Sequence, residues 1–456
     1  MTPLRPAAVA GAFYPADPRV LSSRVGEMLD DVEVLAPRLG FPKAVIVPHA
    51  GYIYSGPVAA YAYDALMPAR GIVKRVVLLG PVHRVPVRGL ALPDAEAFET
   101  PLGRIAVDPG AGAALAELPQ VVVSGPAHAL EHSLEVQLPF LQRVLGDFAL
   151  VPLAVGDASA REVSEVIERL WGGPETLIVV STDMSHYHAY RDALRIDAET
   201  LTRIEALASD IHHEQACGAT PLNGLLGVAR VRGMTVQRLA ACNSGDTAGG
   251  RDHVVGYSAF ALYEGAAVAP QEAGRTLLAL ARAALAHRFG ERPEAPRVDM
   301  PLWLRQSGAT FVTLMQGGRL RGCIGSLEAR RALGEDVVAN ALAAAFGDPR
   351  FTSLTPAEWR DTRLEVSLLS TPKPIHFADE AELFEAISAG EDGLILQLND
   401  RRATFLPQVW DSIPDKRRFI AELVAKAGLP ADTRLARCRV LRYRVVKWRE
   451  ADLASH

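Results

Sequence analysis

Two short segments of the chain carry an apolar strand pattern that ends at a proline and a histidine. The first, AVIVPHAG, covers residues 44–51, and the second, RVVLLGPVH, covers residues 75–83. Apolar and largely β-branched residues favour a buried strand, and Pro48 ends its ladder because proline has no N–H to donate. The pattern predicts His49 and His83 at the carboxyl edge of a sheet, where open α/β folds bind ligands. It indicates a metal or catalytic site that neighbouring strands share.

Apolar strand patterns alternate with helical patterns through the first half of the chain. Further strands are predicted at 148–155, 176–181 and 254–263, with helical periodicity between them. Residues 130–144 are predicted as a helix that is interrupted or re-entered near Pro139. This alternation of near-continuous apolar strands with helices predicts a layered α/β domain with helices on both faces.

The second half of the chain has a different pattern. A length of 456 residues favours two domains, and we place a short linker at 266–271, between domains at 1–265 and 272–456. Gly317-Gly318 and Asn399-Asp400 each separate two strand patterns, as in a β-hairpin. Hairpins with separated helices predict an α+β domain with an antiparallel sheet.

Charge and composition exclude several classes of function. The net charge of −5 provides no basic field for nucleic acid, and no apolar run approaches membrane-spanning length. Four cysteines are too few for a disulfide scaffold in a chain of this size. The amino terminus lacks a signal-peptide pattern, so we expect a cytoplasmic protein with reduced thiols.

Side chains that suit metal binding or proton transfer collect near the predicted strand ends. They are His49, His83, the Glu131-His132-Ser133 cluster, Asp183, His186, His188 and Cys217. His49 and His83 with a third, anionic ligand would match a facial triad that leaves positions open for substrate or oxygen. Cys217 and Asp183 are the candidates for that ligand, and Asp183 could instead cap a turn. His186 fits a proton-transfer role, whereas His212 and His213 are interpreted as residues of a polar stretch without a functional role.

Five ordered motifs over about the first 265 residues resemble the Memo family. They are VPHAGYIYSG, LLGPVHRV, EHSLEVQLPFL, STDMSH and CGATPLNGLL. That family is similar in fold to the class III extradiol dioxygenases, the LigB-like non-haem iron enzymes. The resemblance implies metal ligands at His49, His83 and Cys217 with His186 near the metal, and His132 falls within the motif that lines the same pocket. The candidate catalytic residues are His186, His132 and Asp183. The dioxygenases have a carboxylate where this chain has Cys217, so the resemblance implies redox-active iron or copper rather than ring cleavage.

Residues 272–448 resemble a second family, the AMME-syndrome candidate-region family. The motifs include FVTLMQGGRLRGCIGSLEARRAL, AFGDPRFTSLTPAEW and DGLILQLNDRRATFLPQVW. The chain is thus similar to a fusion of the B and A components of the AmmeMemoRadiSam system, which implies association with a radical-SAM protein. Arg321 and Cys323 are predicted as a cofactor-binding pair, because the arginine charge would favour a reactive thiolate. The alternative is a buried cysteine in a tight hairpin.

The leading functional hypothesis is a metal-dependent redox protein, an iron- or copper-dependent oxidoreductase of dioxygenase type, acting with the radical-SAM partner on an unidentified small molecule or peptide. One alternative is a non-catalytic peptide-binding or scaffold protein. Another is a metal-assisted hydrolase, for which zinc would suit the same ligands. Neither nucleic acid nor a membrane is an expected partner.

Overall fold

A computed structural model of the chain describes residues 3–33, 36–265, 268–295 and 301–453. The chain divides into two compact units, one of residues 1–32 and 41–267 and one of residues 33–40 and 268–456. No helix of the described ranges is both long and apolar enough to cross a lipid bilayer.

The first unit is a mixed α/β domain. Its strands are β1 (Leu4–Arg5), β2 (Ala44–Val47), β3 (Arg75–Pro81), β4 (Leu90–Leu92), β5 (Ala97–Thr100), β6 (Gly103–Ala106), β7 (Val121–Val123), β8 (Ala149–Val155), β9 (Thr176–Ser181), β10 (His186–His188), β11 (Thr235–Asn243) and β12 (Val254–Tyr263). Its helices are α1 (Pro18–Asp30), α2 (Tyr52–Ala65), α3 (Ala111–Leu115), α4 (Gly125–Ala129), α5 (His132–Glu135), α6 (Leu138–Leu145), α7 (Ala160–Leu170), α8 (Tyr190–Glu205) and α9 (Ala219–Val231).

The main sheet of this unit brings the two histidine-bearing strands close together. Over the described residues its strand order is β10-β12-β2-β9-β3-β8-β4-β7. The strand β11 pairs with residues 256–263 of β12. The central strands β2, β9, β3 and β8 are parallel, so β2 and β3 end at the same edge with only β9 between them. His49 and His83 follow those two ends, and the residues after β9 complete the edge.

The segment predicted as an interrupted helix over 130–144 consists of two helices. A first short helix, α5, begins at His132 because the Glu131 side chain accepts hydrogen bonds from the main-chain N–H groups of His132 and Ser133. The second, α6, begins at Leu138, with Pro139 in its first turn, where proline is tolerated. The break at residues 136–137 therefore precedes the proline, and it lets the segment turn near the site.

The second unit has antiparallel sheets packed with helices. Its strands are β13 (Ser307–Gly308), β14 (Thr310–Gln316), β15 (Arg319–Gly325), β16 (Arg331–Ala332), β17 (Arg363–Leu369), β18 (Lys373–Pro374), β19 (Gly393–Leu398), β20 (Arg401–Phe405), β21 (Arg439–Tyr443) and β22 (Val445–Arg449). Its helices are α10 (Pro270–Arg288), α11 (Leu302–Arg305), α12 (Leu333–Phe346), α13 (Pro356–Trp359), α14 (Glu380–Ala386), α15 (Lys416–Lys426) and α16 (Glu450–Leu453).

Two of these sheets have four strands, in the orders β15-β14-β17-β22 and β18-β21-β19-β20 over the described residues. Both predicted hairpins are confirmed, as the pairs β14–β15 and β19–β20. Gly317 and Gly318 have φ values of 50° and 76°, which glycine adopts without steric cost. The antiparallel α+β architecture predicted for this half is thus observed.

The segment 33–40 lies in the second unit, although the sequence placed it in the first domain. The amide of buried Gln306 accepts a hydrogen bond from Gly40 N at 2.7 Å and donates one to the Arg38 carbonyl at 2.9 Å. These contacts join residues more than 260 positions apart, so no local pattern could indicate them.

Candidate metal centre

His49 is fixed in one orientation at the end of β2. Its main-chain N–H donates to Asp183 Oδ1 at 2.7 Å, and its ring Nδ1 lies 2.8 Å from Ser181 Oγ. The Ser181 hydroxyl donates its proton to the Ser133 carbonyl at 2.7 Å, so the Nδ1–H of His49 must be the donor to Ser181. Nε2 of His49 therefore carries the lone pair, which is the form that binds a metal.

One carboxylate orients the other two histidines. Glu131 Oε1 lies 2.9 Å from His83 Nδ1 and 3.3 Å from His132 Nδ1. Glu131 Oε2 accepts a hydrogen bond from the main-chain N–H of His83 at 2.6 Å. Burial alone would raise the pKa of Glu131, but the hydrogen bonds from His132, His83 and Ser133 outweigh burial and hold it well below its ordinary value. A carboxylate only accepts hydrogen bonds, so both rings donate through Nδ1 and keep Nε2 free.

The three imidazoles form a compact cluster. The ring centroids are 5.2 Å apart for His49 and His83, 5.4 Å for His49 and His132, and 4.6 Å for His83 and His132. One nitrogen from each ring lies within 4.8 Å of the others. Burial, followed by the neighbouring His132 and His83, lowers the pKa of His49 well below its ordinary value. His49 is therefore neutral at pH 7, and the donor set suits a borderline divalent metal.

Cys217 lies against one side of this cluster. Its Sγ is 3.3 Å from His49 Nε2 and accepts a hydrogen bond from the Asp183 N–H, also at 3.3 Å. Burial and the Asp183 charge raise the pKa of Cys217 to about 12. The group is thus a thiol without a metal, and it donates to His49. A bound cation would favour the thiolate instead.

Gly218 allows Cys217 to approach the sheet edge. A Cβ at Gly218 would lie 2.8 Å from the carbonyl oxygen of Ser181 and 2.7 Å from Thr182 Cβ. These separations are shorter than real Cβ contacts, so a side chain there would push Cys217 away from β9.

Asp183 and His186 complete the surroundings. Asp183 Oδ2 is 4.0 Å from His49 Nε2, and burial raises the pKa of Asp183 despite the hydrogen bond that it accepts from His49. His186 lies in β10, where it pairs with Val255, and its charge also lowers the pKa of His49. Tyr187, next to it, has a φ of 59°, which is rare for an aromatic residue.

The structure brings His49, His83, His132, Asp183 and Cys217 close together, with one change of emphasis. The sequence gave His132 a place in the pocket, whereas the structure groups its nitrogen with those of His49 and His83. The role of Cys217 as a ligand stays a prediction. Glu131 was noted only as part of a cluster, and Ser181 only as the end of a strand, although each fixes a ring.

Among the residues that the structure describes, no hydrogen bond joins the side chains of Arg321 and Cys323. The Arg321 guanidinium pairs with Glu358 at 3.0 and 3.1 Å. Cys323 Sγ instead accepts a hydrogen bond from the Thr313 hydroxyl at 3.2 Å, and the cationic group next to its carbonyl is Arg350, at 3.0 Å. Since Glu358 balances the Arg321 charge, the physical reason given for a reactive thiolate is weakened, and cofactor binding by this pair stays a prediction.

Comparison with known proteins identifies relatives of both units. The model of a family described as Memo-like protein matches residues 5–261, and the AMMECR1 family model matches residues 278–448. A MEMO1 family protein of Aeropyrum pernix is 38% identical over 232 residues, covering 47% of this chain and 82% of the relative. One of Methanopyrus kandleri is 35% identical over 288 residues, covering 57% and 99%. A crystal structure of an uncharacterised Pyrococcus horikoshii protein aligns at 32% identity with a TM-score of 0.36, covering 39% of this chain and 91% of that one.

Proposed function

The chain belongs to the Memo-like family over residues 5–261 and carries an AMMECR1 domain over residues 278–448, and from this premise we propose that it is a non-haem metal-binding redox protein. The metal site would be in the first unit. The substrate would be a small molecule or peptide, in association with a radical-SAM protein.

The observation that carries the proposal is the set of hydrogen bonds behind the three histidines. Each ring has its Nδ1 beside an oxygen, from Ser181 for His49 and from Glu131 for His83 and His132. Metal-binding histidines characteristically donate their second nitrogen in this way. A cluster that served only packing would not need an oxygen beside the Nδ1 of each of the three rings.

His49, His83 and His132 would hold the metal, with Cys217 as a further ligand. Nitrogen and sulfur donors suit iron, copper or zinc, and we favour Fe(II) or copper. Such a metal would supply electron transfer and open coordination positions for substrate or oxygen. His186 would move a proton to or from the substrate. Asp183 holds the His49 main chain and the Cys217 thiol in place through the contacts described above.

Elemental analysis of protein purified without oxygen tests this proposal. We expect about one transition-metal ion per chain in the parent, and loss of most of it in His49→Ala, His83→Ala and His132→Ala. His253→Ala is the matched control, because His253 is exposed and the hydrogen bond that the structure describes for its ring is with the Tyr187 carbonyl. Retention of metal by all three site variants would refute the site.

The same preparation separates the redox proposal from its alternatives. Iron or copper together with substrate-dependent oxygen consumption would support a redox role. Zinc with hydrolytic activity alone would favour a metal-assisted hydrolase. Peptide capture that survives His49→Ala would favour a binding protein.

A further inference from the structure

A cavity of about 280 Å³ opens beside the histidine cluster. Its wall comes from the loop after β3, the end of β8 and the start of α9, and consists of Pro81, Val82, His83, Pro86, Val87, Val155, Gly156, Asp157, His213, Cys217, Thr220 and Pro221. Because His83 and Cys217 are part of this wall, a molecule in the cavity would lie next to the metal site.

The body of the cavity is apolar and stiff. Three prolines and three valines form half of its lining, and both residue types have few accessible conformations. The volume lies just below the range of about 300–1,000 Å³ that is usual for small-molecule sites. The cavity therefore suits a small molecule with a compact apolar body rather than a folded partner.

Three polar side chains also line the cavity: Asp157, His213 and Thr220. The Thr220 hydroxyl lies 3.2 Å from His213 Nε2, and His213 Nδ1 lies 3.3 Å from the Cys217 carbonyl. These contacts place His213 in the cavity wall, although the sequence gave it no functional role. Lysine and arginine are absent from the residues that line the cavity, and Asp157 supplies its fixed charge.

Asp157 is exposed, and the hydrogen bonds that the structure describes for it run through its main chain. Its N–H donates to the Val87 carbonyl at 2.7 Å, and its own carbonyl accepts from the Gly89 N–H at 2.8 Å. The nearby Arg88 also donates to that carbonyl, and its guanidinium pairs with Glu162 at 2.7 Å. Glu162 is the main partner of the Arg88 guanidinium and Asp157 a weaker one, so the acidic residue of the lining lies near a cation that pairs chiefly with Glu162.

We propose that this cavity is the substrate subsite, and that it binds a small molecule with an apolar body and a cationic, hydrogen-bond-donating end at Asp157. Thr220 and His213 are further hydrogen-bonding groups in the wall of the cavity. The assignment rests on the proposed function for the neighbouring metal site, and it adds the chemical class of the substrate.

Thiol labelling of Cys217 measures the charge preference of the cavity without a known substrate. The probes are 2-aminoethyl methanethiosulfonate, a cation, and 2-sulfonatoethyl methanethiosulfonate, an anion of similar size. The cysteine sulfur attacks the reagent sulfur, a mixed disulfide forms and methanesulfinate leaves. Rates would be measured on metal-free protein at low ionic strength, by mass spectrometry of the Cys217 peptide.

The cation-to-anion rate ratio in Asp157→Asn is compared with that of the parent, so intrinsic reagent reactivity cancels. We expect the ratio to fall by about three- to tenfold in Asp157→Asn, and the difference to shrink at high salt. Glu117→Gln is the matched control, because Glu117 is exposed, lies outside the lining and pairs with Arg169 rather than with Arg88. An unchanged ratio in Asp157→Asn, or an equal fall in Glu117→Gln, would overturn the assignment.

A separate arm with zinc tests the metal site independently. Zinc should protect Cys217 from both reagents if the metal binds where we propose. Absence of protection together with the Asp157-dependent preference would refute the metal ligand role of Cys217 and leave the cavity assignment standing.

Discussion

Replacement of Glu131 by glutamine is the most informative single test of the site. The two carboxylate oxygens together accept hydrogen bonds from the ring Nδ1 of His83, the main-chain N–H groups of His83, His132 and Ser133, and the nearby Nδ1 of His132. Glutamine keeps the size of the side chain but has only one oxygen. Its NH₂ group must face at least one of these N–H donors, so a buried donor loses its acceptor.

The expected loss follows from that geometry. Removing the partner that orients a metal-binding histidine typically costs about 10- to 100-fold in metal affinity, or about 1.4–2.7 kcal/mol. Glutamine can keep its oxygen at the Oε1 position that both rings face, but a neutral amide accepts a hydrogen bond more weakly than a carboxylate, so we expect the lower part of this range. A buried donor without an acceptor also costs about 1–3 kcal/mol of folding stability.

Competition with a chromogenic chelator would measure zinc affinity, and urea denaturation would measure stability. Glu117→Gln is the matched control, because the Glu117 side chain is 81% exposed and pairs with Arg169 rather than with a residue of the site. A folded Glu131→Gln protein with zinc affinity within twofold of the parent would refute a contribution of the Glu131 charge to metal binding.

Three further predictions concern stability. Gly218→Ala should destabilise the protein by about 1–3 kcal/mol, because its Cβ would meet a β9 carbonyl oxygen at 2.8 Å; Gly112→Ala, with open space at its Cβ, should have no such effect in thermal denaturation. Burial chiefly lowers the pKa of His128 to about 4, so the unfolded chain takes up its proton first. The free energy of unfolding does not depend on His128 protonation above about pH 6.5, and it falls by about 3 kcal/mol as the pH drops toward 4. Urea titrations of His128→Gln should show a weaker pH dependence, and an identical one would contradict this. Glu135→Gln would leave the buried Arg5 guanidinium without its charged partner and should cost about 3–5 kcal/mol; a change below 1 kcal/mol in chemical denaturation would show that the pair matters little.

The sequence predicted much of the fold because the relevant signals are local. Pro48 and the apolar residues before it specify a strand that stops just before His49, and β2 ends at Val47. The Gly317-Gly318 turn likewise determines its hairpin through its own backbone angles. The strand β11 was missed, since its alternately exposed residues lack a continuous apolar run.

The sequence by itself determined which residues reach the site: two histidines at strand ends, the EHS segment and a cysteine followed by glycine. Only the tertiary structure decided how they act together. The order β2-β9-β3 inserts Ser181 between the two histidine-bearing strands, and the turn before α5 sets one Glu131 carboxylate against both His83 and His132. Backbone preferences depend on neighbours along the chain and are visible in sequence. Hydrogen bonds between residues tens of positions apart depend on strand order and packing, so only the fold shows that His132 is grouped with His49 and His83.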